Sequence, residues 1–180
     1  MSRRILLMGR SGCGKTSLIK RIHEITKEPP RQLDSSITAH PNKNSNPNPG
    51  VMAELPKANK TQAAEYHSDF IDVPGEYLEV RSFYRALIML TCQACAIMLI
   101  QAADDEENLY PSGLARTFNK PVVGVVTKTD IVPSEPNRAE TILREAGASR
   151  VFFTSALTAA GLDGLIKHLD ILTVHEKQVT

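Results

Sequence analysis

Residues 5–16 read ILLMGRSGCGKT, an apolar run that passes directly into a glycine-rich turn ending in lysine and threonine. The run Ile5 to Met8 is short, continuous and bounded by glycine, as expected of a strand buried on both faces. The turn, GRSGCGKT at 9–16, matches the phosphate-loop pattern G-x-x-x-x-G-K-S/T. In that pattern glycines let successive backbone N–H groups turn inward on phosphate oxygens, while a lysine and a hydroxyl balance charge with magnesium. Gly9, Gly12 and Gly14 supply the turns, with Arg10, Ser11 and Cys13 as intervening backbone. Lys15 supplies the charge and Thr16 the metal-binding hydroxyl, and Ser17 completes the stretch expected to touch nucleotide. Strand, loop and following helix form one unit, so this stretch decides in favour of an α/β fold.

Further along, apolar runs alternate with amphipathic segments. Phe70 to Val73, Ala96 to Ile100, Val122 to Val126 and Val151 to Phe153 read as strands. Lys15 to Glu28 reads as a helix with Leu18, Ile22 and Ile25 on one face, and Val80 to Thr91, Pro136 to Ala146 and Leu162 to Leu172 read as further helices. Continuous strands alternating with helices imply a doubly wound, mostly parallel sheet of six strands, flanked by about five helices. In such a sheet ligands bind at the carboxyl ends of the strands.

The length of 180 residues suits a single domain over 1–180. Its interior is interrupted at 28–60 by an insertion rich in asparagine, proline and serine that has little to build a core with. A net charge of +1 without a basic stripe argues against a nucleic-acid partner. The apolar amino-terminal stretch is too short for a secretion signal, which points to the cytoplasm. The uncharged run Ala86 to Ala103 is long enough to suggest a membrane span. Thr91, Gln93 and Gln101 within it favour the end of a helix followed by a buried strand. Cys92 and Cys95 are expected to be buried reduced thiols, and Cys13 a candidate for alkylation. The acidic run Asp104 to Glu107 reads as a solvated loop.

Three further stretches, each just after an expected strand, carry chemistry. In DVPG, Asp72 can hold the magnesium shell and Gly75 can offer its N–H to a γ-phosphate. In TKTD at 127–130, Asp130 can accept from the N1–H and exocyclic amine of guanine, a donor pair adenine does not present. Lys128 would lay its stem along the base, and Thr127 opens the motif. In TSA at 154–156, Ser155 and Ala156 are small enough for backbone N–H groups to approach guanine O6. Each stretch alone is also satisfied by a polar turn. Their joint order after successive strands favours GTP or GDP with Mg2+.

That order resembles the Ras-like GTPases over all but residues 28–60, with Thr127 standing where asparagine is usual. More narrowly, KTQAAEY at 60–66, DVPGEYLE at 72–79, VVGVVTKTD at 122–130 and AGASRVFFTSA at 146–156 resemble the EutP/PduV family. Its members are bacterial P-loop proteins of ethanolamine and propanediol utilisation, and so tied to bacterial microcompartments. The resemblance implies a GTP-binding, slowly hydrolysing switch, with microcompartment shell or enzyme proteins as partners. It places the switch threonine, a magnesium ligand and catalytic residue, at Thr61, with Thr38 as the alternative. It also sets Glu76 where a water-orienting glutamine is common, and Ser11 where many GTPases activated by an external arginine carry glycine. Arg10, Arg81 and Arg85 are candidate internal substitutes for that arginine. Two other functions fit the same loop: a P-loop phosphotransferase acting on a small carboxylate, and a noncatalytic, nucleotide-gated assembly module using residues 28–60 as its arm.

Overall fold

The computed structural model describes residues 4–26, 64–131 and 137–175. Strand β1 (Ile5–Gly9) is followed by helix α1 (Lys15–Thr26), then β2 (Glu65–Tyr66) and β3 (Phe70–Asp72). Next come α2 (Glu76–Glu79), a 3-10 turn at Arg81–Phe83, α3 (Tyr84–Thr91), β4 (Ala96–Ala102) and a second 3-10 turn at Leu114–Thr117. The chain continues through β5 (Val122–Thr127), α4 (Asn137–Glu145), β6 (Val151–Phe153) and α5 (Leu162–His175). The strands form one sheet in the order β2-β3-β1-β4-β5-β6. All neighbours are parallel except the edge pair β2–β3, in register Glu65 to Asp72.

Alternation along the central strands divides the core in two. Ile5 and Leu7 face α1 and α5, packing with Leu18, Ile19, Ile22, Leu165 and Leu169. Leu6 and Met8 face the other way, with Leu87, Ile142 and Leu143. Burial of a side chain of this size contributes about 1.5–3 kcal/mol, so β1, buried at every position and sandwiched on both faces, is firmly anchored. Placing β1 centrally fixes its carboxyl end, and hence the phosphate loop, against the ends of β3 and β4.

The structure departs from the sequence reading in instructive places. The sixth strand of the expected sheet, β2, was not located in the sequence. It is two exposed residues at a sheet edge, too short to carry periodicity. The helix expected over Val80 to Thr91 starts late: Val80 is extended (φ −112°, ψ 113°), Arg81–Phe83 form a 3-10 turn, α3 runs Tyr84–Thr91, and the short α2 before it was not expected. β-Branched residues favour the extended conformation of Val80. Ile25 is 36% exposed and Ile19 takes its place in the core. Cys92 is exposed, while Cys95 is buried as expected. The apolar face that gave Ala86 to Ala103 its membrane-like composition includes Ile88 and Met89, both exposed on α3. No helix among the described residues is long and apolar enough to cross a membrane.

One buried polar residue pins the central strands. The Tyr110 hydroxyl accepts from the Ile100 N–H at 3.1 Å and donates toward the carbonyl oxygens of Ile100 at 2.7 Å and Met8 at 3.1 Å. Burial pushes its pKa well above the ordinary phenol value, so it remains a neutral donor. It ties β1 to β4 just where the chain leaves the sheet for the phosphate loop. Tyr110→Phe strands buried backbone groups and should lower unfolding free energy by about 1–3 kcal/mol. Urea denaturation reads this directly; an unchanged midpoint would show that the hydroxyl contributes nothing.

Candidate functional site

Between β1 and α1 the loop turns through left-handed glycines, Gly12 at φ +78° and Gly14 at φ +92°. L-residues with a Cβ rarely adopt these angles. The helix that follows leaves its first N–H groups without intrahelical partners, aimed at the space the loop encloses. Lys15 folds back across that space. Its Nζ donates to the Gly9 and Arg10 carbonyls at 2.7 and 2.8 Å, and the side chain is only 7% exposed. The Cys13 sulfur lies at 3.9 Å, and none of these partners is a carboxylate; an ammonium held by neutral groups is poorly compensated for its lost hydration, which favours an anion beside it.

Thr16 donates its hydroxyl proton to Asp72 Oδ2 at 2.7 Å. The other oxygen, Asp72 Oδ1, is buried with no hydrogen-bond partner. Burial raises the Asp72 pKa above the ordinary carboxylate value, against the opposing pull of the Thr16 hydrogen bond and the Lys15 charge. A buried carboxylate oxygen without a partner beside a threonine hydroxyl is a hard, oxygen-only donor set, which fits magnesium. Just beyond, Gly75 lies so close to the loop that a Cβ there would collide with the Ser11 backbone nitrogen. Only glycine permits this approach, and it brings Glu76, the first residue of α2, next to the phosphate loop.

The TKTD and TSA stretches meet the same loop from the other side. Thr127, 4% exposed, donates to the Cys13 carbonyl at 2.6 Å. Lys128 sits at φ +58°, a left-handed conformation that is costly for a residue with a Cβ and turns the chain sharply after β5. Its Nζ reaches both Asp104 carboxylate oxygens, at 3.3 and 3.2 Å. Asp130 is exposed, and its carboxylate makes no hydrogen bond or ion pair among the described residues. Ser155, fully buried, accepts from Leu157 N–H at 3.2 Å and Thr158 N–H at 3.1 Å, while its own N–H donates to Ala160 O at 3.1 Å. Its backbone donor is therefore spent on the turn, leaving Ala156 as the residue of this pair that lines the cleft.

The resulting cleft, of about 540 Å³, is lined by Gly12, Gly14, Ser17, Thr127, Lys128, Asp130 and Ala156. The expected site residues from the loop, the TKTD stretch and the TSA stretch thus converge, and Thr16, Asp72, Gly75 and Glu76 border the loop opposite. Thr61 and Thr38 lie outside the described residues, as does the 28–60 insertion. Sequence reading missed Lys20, Arg21, Glu24 and Leu157, which also line the cleft. Positions 17, 20, 21 and 24 recur at helical spacing on α1, a signal present in the sequence.

Two expectations are corrected here. Cys13 is 3% exposed, and burial, only partly offset by Lys15, raises its thiol pKa, so it is a packed thiol rather than an accessible nucleophile. The acidic run is not merely solvated. Asp104 pairs with Lys128, Asp105 and Glu107 with Arg10, and Glu106 with Arg138, at 3.2, 3.3, 2.8 and 3.5 Å. Arg10 is accordingly engaged away from the enclosed space.

The parallel sheet, the loop wrapped on the start of α1 and the cleft at the strand ends define a P-loop protein of the small-GTPase fold. Solved structures share that architecture: elongation factor SelB of Methanococcus maripaludis, in complex with the GTP analogue GppNHp, superposes with a TM-score of 0.55 at 21% identity, covering 97% of this chain and 35% of SelB. Its apo form gives 0.51 at 19% identity, covering 96% of this chain and 33% of SelB, so this chain spans about a third of that factor's length. The chain belongs to the PduV–EutP family, described as ethanolamine utilisation and propanediol utilisation, whose sequence profile matches residues 52–171. It is 35% identical over 169 residues to the propanediol utilization protein PduV of Citrobacter freundii, covering 93% of each chain. It is 30% identical over 125 residues to the probable acetate kinase EutP of Salmonella typhimurium, covering 67% of this chain and 78% of that one.

The Asp72 carboxyl yields a pH prediction. A raised folded-state pKa means the fold penalises the charged form. That penalty is absent where the carboxyl is protonated in both states and grows as pH rises through the unfolded and then the folded pKa. Without magnesium, wild type should therefore lose Tm relative to Asp72→Asn on going from acid to neutral pH. A Tm difference that stays flat across that range would contradict the burial argument.

Proposed function

We propose that this chain binds GTP and GDP with magnesium and acts as a slow GTP-hydrolysing switch in ethanolamine or propanediol utilisation. The observation that carries this reading is the convergence of the loop, the TKTD stretch and Ala156 on one cleft. Lys15 and the loop N–H groups hold the β- and γ-phosphates, and Asp130 accepts from the guanine N1 and N2 donors. Ser17 and Lys128 flank the nucleotide. Thr16 and Asp72, with Thr61 as a further candidate, would hold magnesium, which neutralises charge developing on the phosphate oxygens.

Glu76 is the candidate for orienting the attacking water. A carboxylate accepts from water but cannot donate, and its charge opposes the γ-phosphate, which supports slow turnover. Arg10 is held by Asp105 and Glu107, so it does not serve as an internal arginine in this conformation. The setting would be the cytoplasm, with microcompartment shell or enzyme proteins as partners.

A second reading draws on the EutP relatives, which bear the name probable acetate kinase. In it, the same phosphate loop transfers the γ-phosphoryl group to a small carboxylate. Acetyl phosphate formed from acetate and GTP or ATP would favour this reading, and phosphate release unaffected by acetate would favour hydrolysis.

Displacement of fluorescent GDP tests the base assignment. GDP should outcompete ADP by at least about a hundredfold, as expected where a wrong base leaves polar groups unpaired. Asp130→Asn should move preference toward xanthosine diphosphate. Equal competition by ADP removes the guanine reading. Glu76→Gln should change the hydrolysis rate while leaving GDP affinity within about twofold, a split between kinetics and binding that a surface residue would not give.

A further inference from the structure

A second cavity, of about 240 Å³, opens at the sheet edge opposite the phosphate loop, where β1 and β3 begin. Its floor is apolar, formed by Ile5, Ile22, Phe70 and Leu169, all buried. Its polar groups come from Asp69 just before β3, from His23 and Thr26 in the last turn of α1, and from Asp170 and Thr173 on α5. No lysine or arginine is among the described residues that line it. The Thr26 hydroxyl donates to the Ile22 and His23 carbonyls at 3.0 and 3.4 Å, and the Thr173 hydroxyl to the Asp170 carbonyl at 2.9 Å. Each hydroxyl therefore has only lone pairs left for a ligand. Asp69 accepts from the Ser68 hydroxyl at 3.2 Å, and neither Asp69 nor Asp170 has an ion pair among the described residues.

The His23 Nε2 is buried with no hydrogen-bond partner, as is the Nε2 of His67, whose ring centroid lies 6.3 Å from that of His23. Buried polar atoms are ordinarily paired, so an orphan nitrogen in a cavity wall points to a ligand that supplies its partner. Among the described residues no three His, Cys, Asp or Glu side chains are grouped so as to hold a metal ion. The volume also falls below the roughly 300–1,000 Å³ of pockets for drug-sized molecules. Two unpaired carboxylates and spent hydroxyls over an apolar floor instead suit a short carbon stem ending in a cation. An ammonium brings three N–H donors and no acceptor. We propose that this cavity binds a small primary amine as its ammonium ion, the stem on Phe70 and Leu169 and the N–H groups divided among His23, Asp69 and Asp170. The inference does not rest on the guanine reading, because the cavity lies at the far end of α1 from Lys15, which opens that helix.

The experiment is titration of the full chain with n-butylamine, 1-butanol and butyrate at fixed pH and ionic strength, followed by backbone amide NMR shifts. Butylamine should move the amides of Ile5, His23 and Phe70 saturably, with a Kd on the order of 1–10 mM, as expected of so few ligand atoms. The neutral and anionic analogues, of similar size, should bind at least about tenfold more weakly. Asp69→Asn and Asp170→Asn each remove a charge at nearly constant shape. Each should weaken butylamine about three- to tenfold while leaving 1-butanol within about twofold. 1-Butanol binding as tightly as butylamine shows an apolar cavity without cation recognition and overturns the inference. Shifts gathered on the acidic loop at 104–107 instead, or none that saturate by about 100 mM butylamine, overturn it as well. So does butylamine affinity unchanged in both folded variants. If one variant does not fold, the other and the wild-type ligand series decide.

Discussion

The site is organised around a charge that the fold buries without an anionic contact. Lys15 places its ammonium against two carbonyl oxygens of its own loop. Holding it there requires the loop to close tightly, which requires the left-handed glycines, which in turn need a rigid strand to spring from. Strand β1 provides this because it is covered on both faces and pinned to β4 through Tyr110. The loop therefore carries its electrostatic demand within its own structure. Negative charge beside the ammonium and positive charge beside Asp72 would meet it.

The TKTD stretch and the phosphate loop are likewise tied through backbone. Thr127 joins the end of β5 to the phosphate loop through a 2.6 Å hydrogen bond, so a shift in either stretch displaces the other. Gly75 makes a comparable contact from the other side, where the absence of a side chain lets the start of α2 press on Ser11. The loop is held between two neighbours, the end of β5 on one side and the start of α2 on the other.

Much of this was legible in the sequence, for identifiable reasons. The five parallel strands announce themselves because burial on both faces demands continuous apolar runs, and the phosphate loop because its backbone conformation demands glycine at fixed positions. The extended Val80 and the short α2 before it were hidden, since no proline or glycine separates them from the residues of α3. Strand β2 was hidden because an exposed two-residue edge need not be apolar. The spent N–H of Ser155 and the pairing of each acidic residue at 104–107 depend on side chains and backbone far apart in sequence, and no local pattern encodes such meetings.

That acidic loop carries a consequence of its own. It binds Arg10 of the phosphate loop, Lys128 of the turn after β5 and Arg138 of α4, and it is anchored by Gln101, which donates to the Asp105 and Glu107 carbonyls. Individually, such exposed pairs contribute only about 0.2–1 kcal/mol and are weakened by salt. Together they tie one loop to three separate segments of the chain, so their cohesion is graded instead of all-or-none. Ionic strength is thereby a physical variable of this loop: as counterions accumulate its pairings weaken by degrees, while the apolar packing of the sheet beneath is not screened.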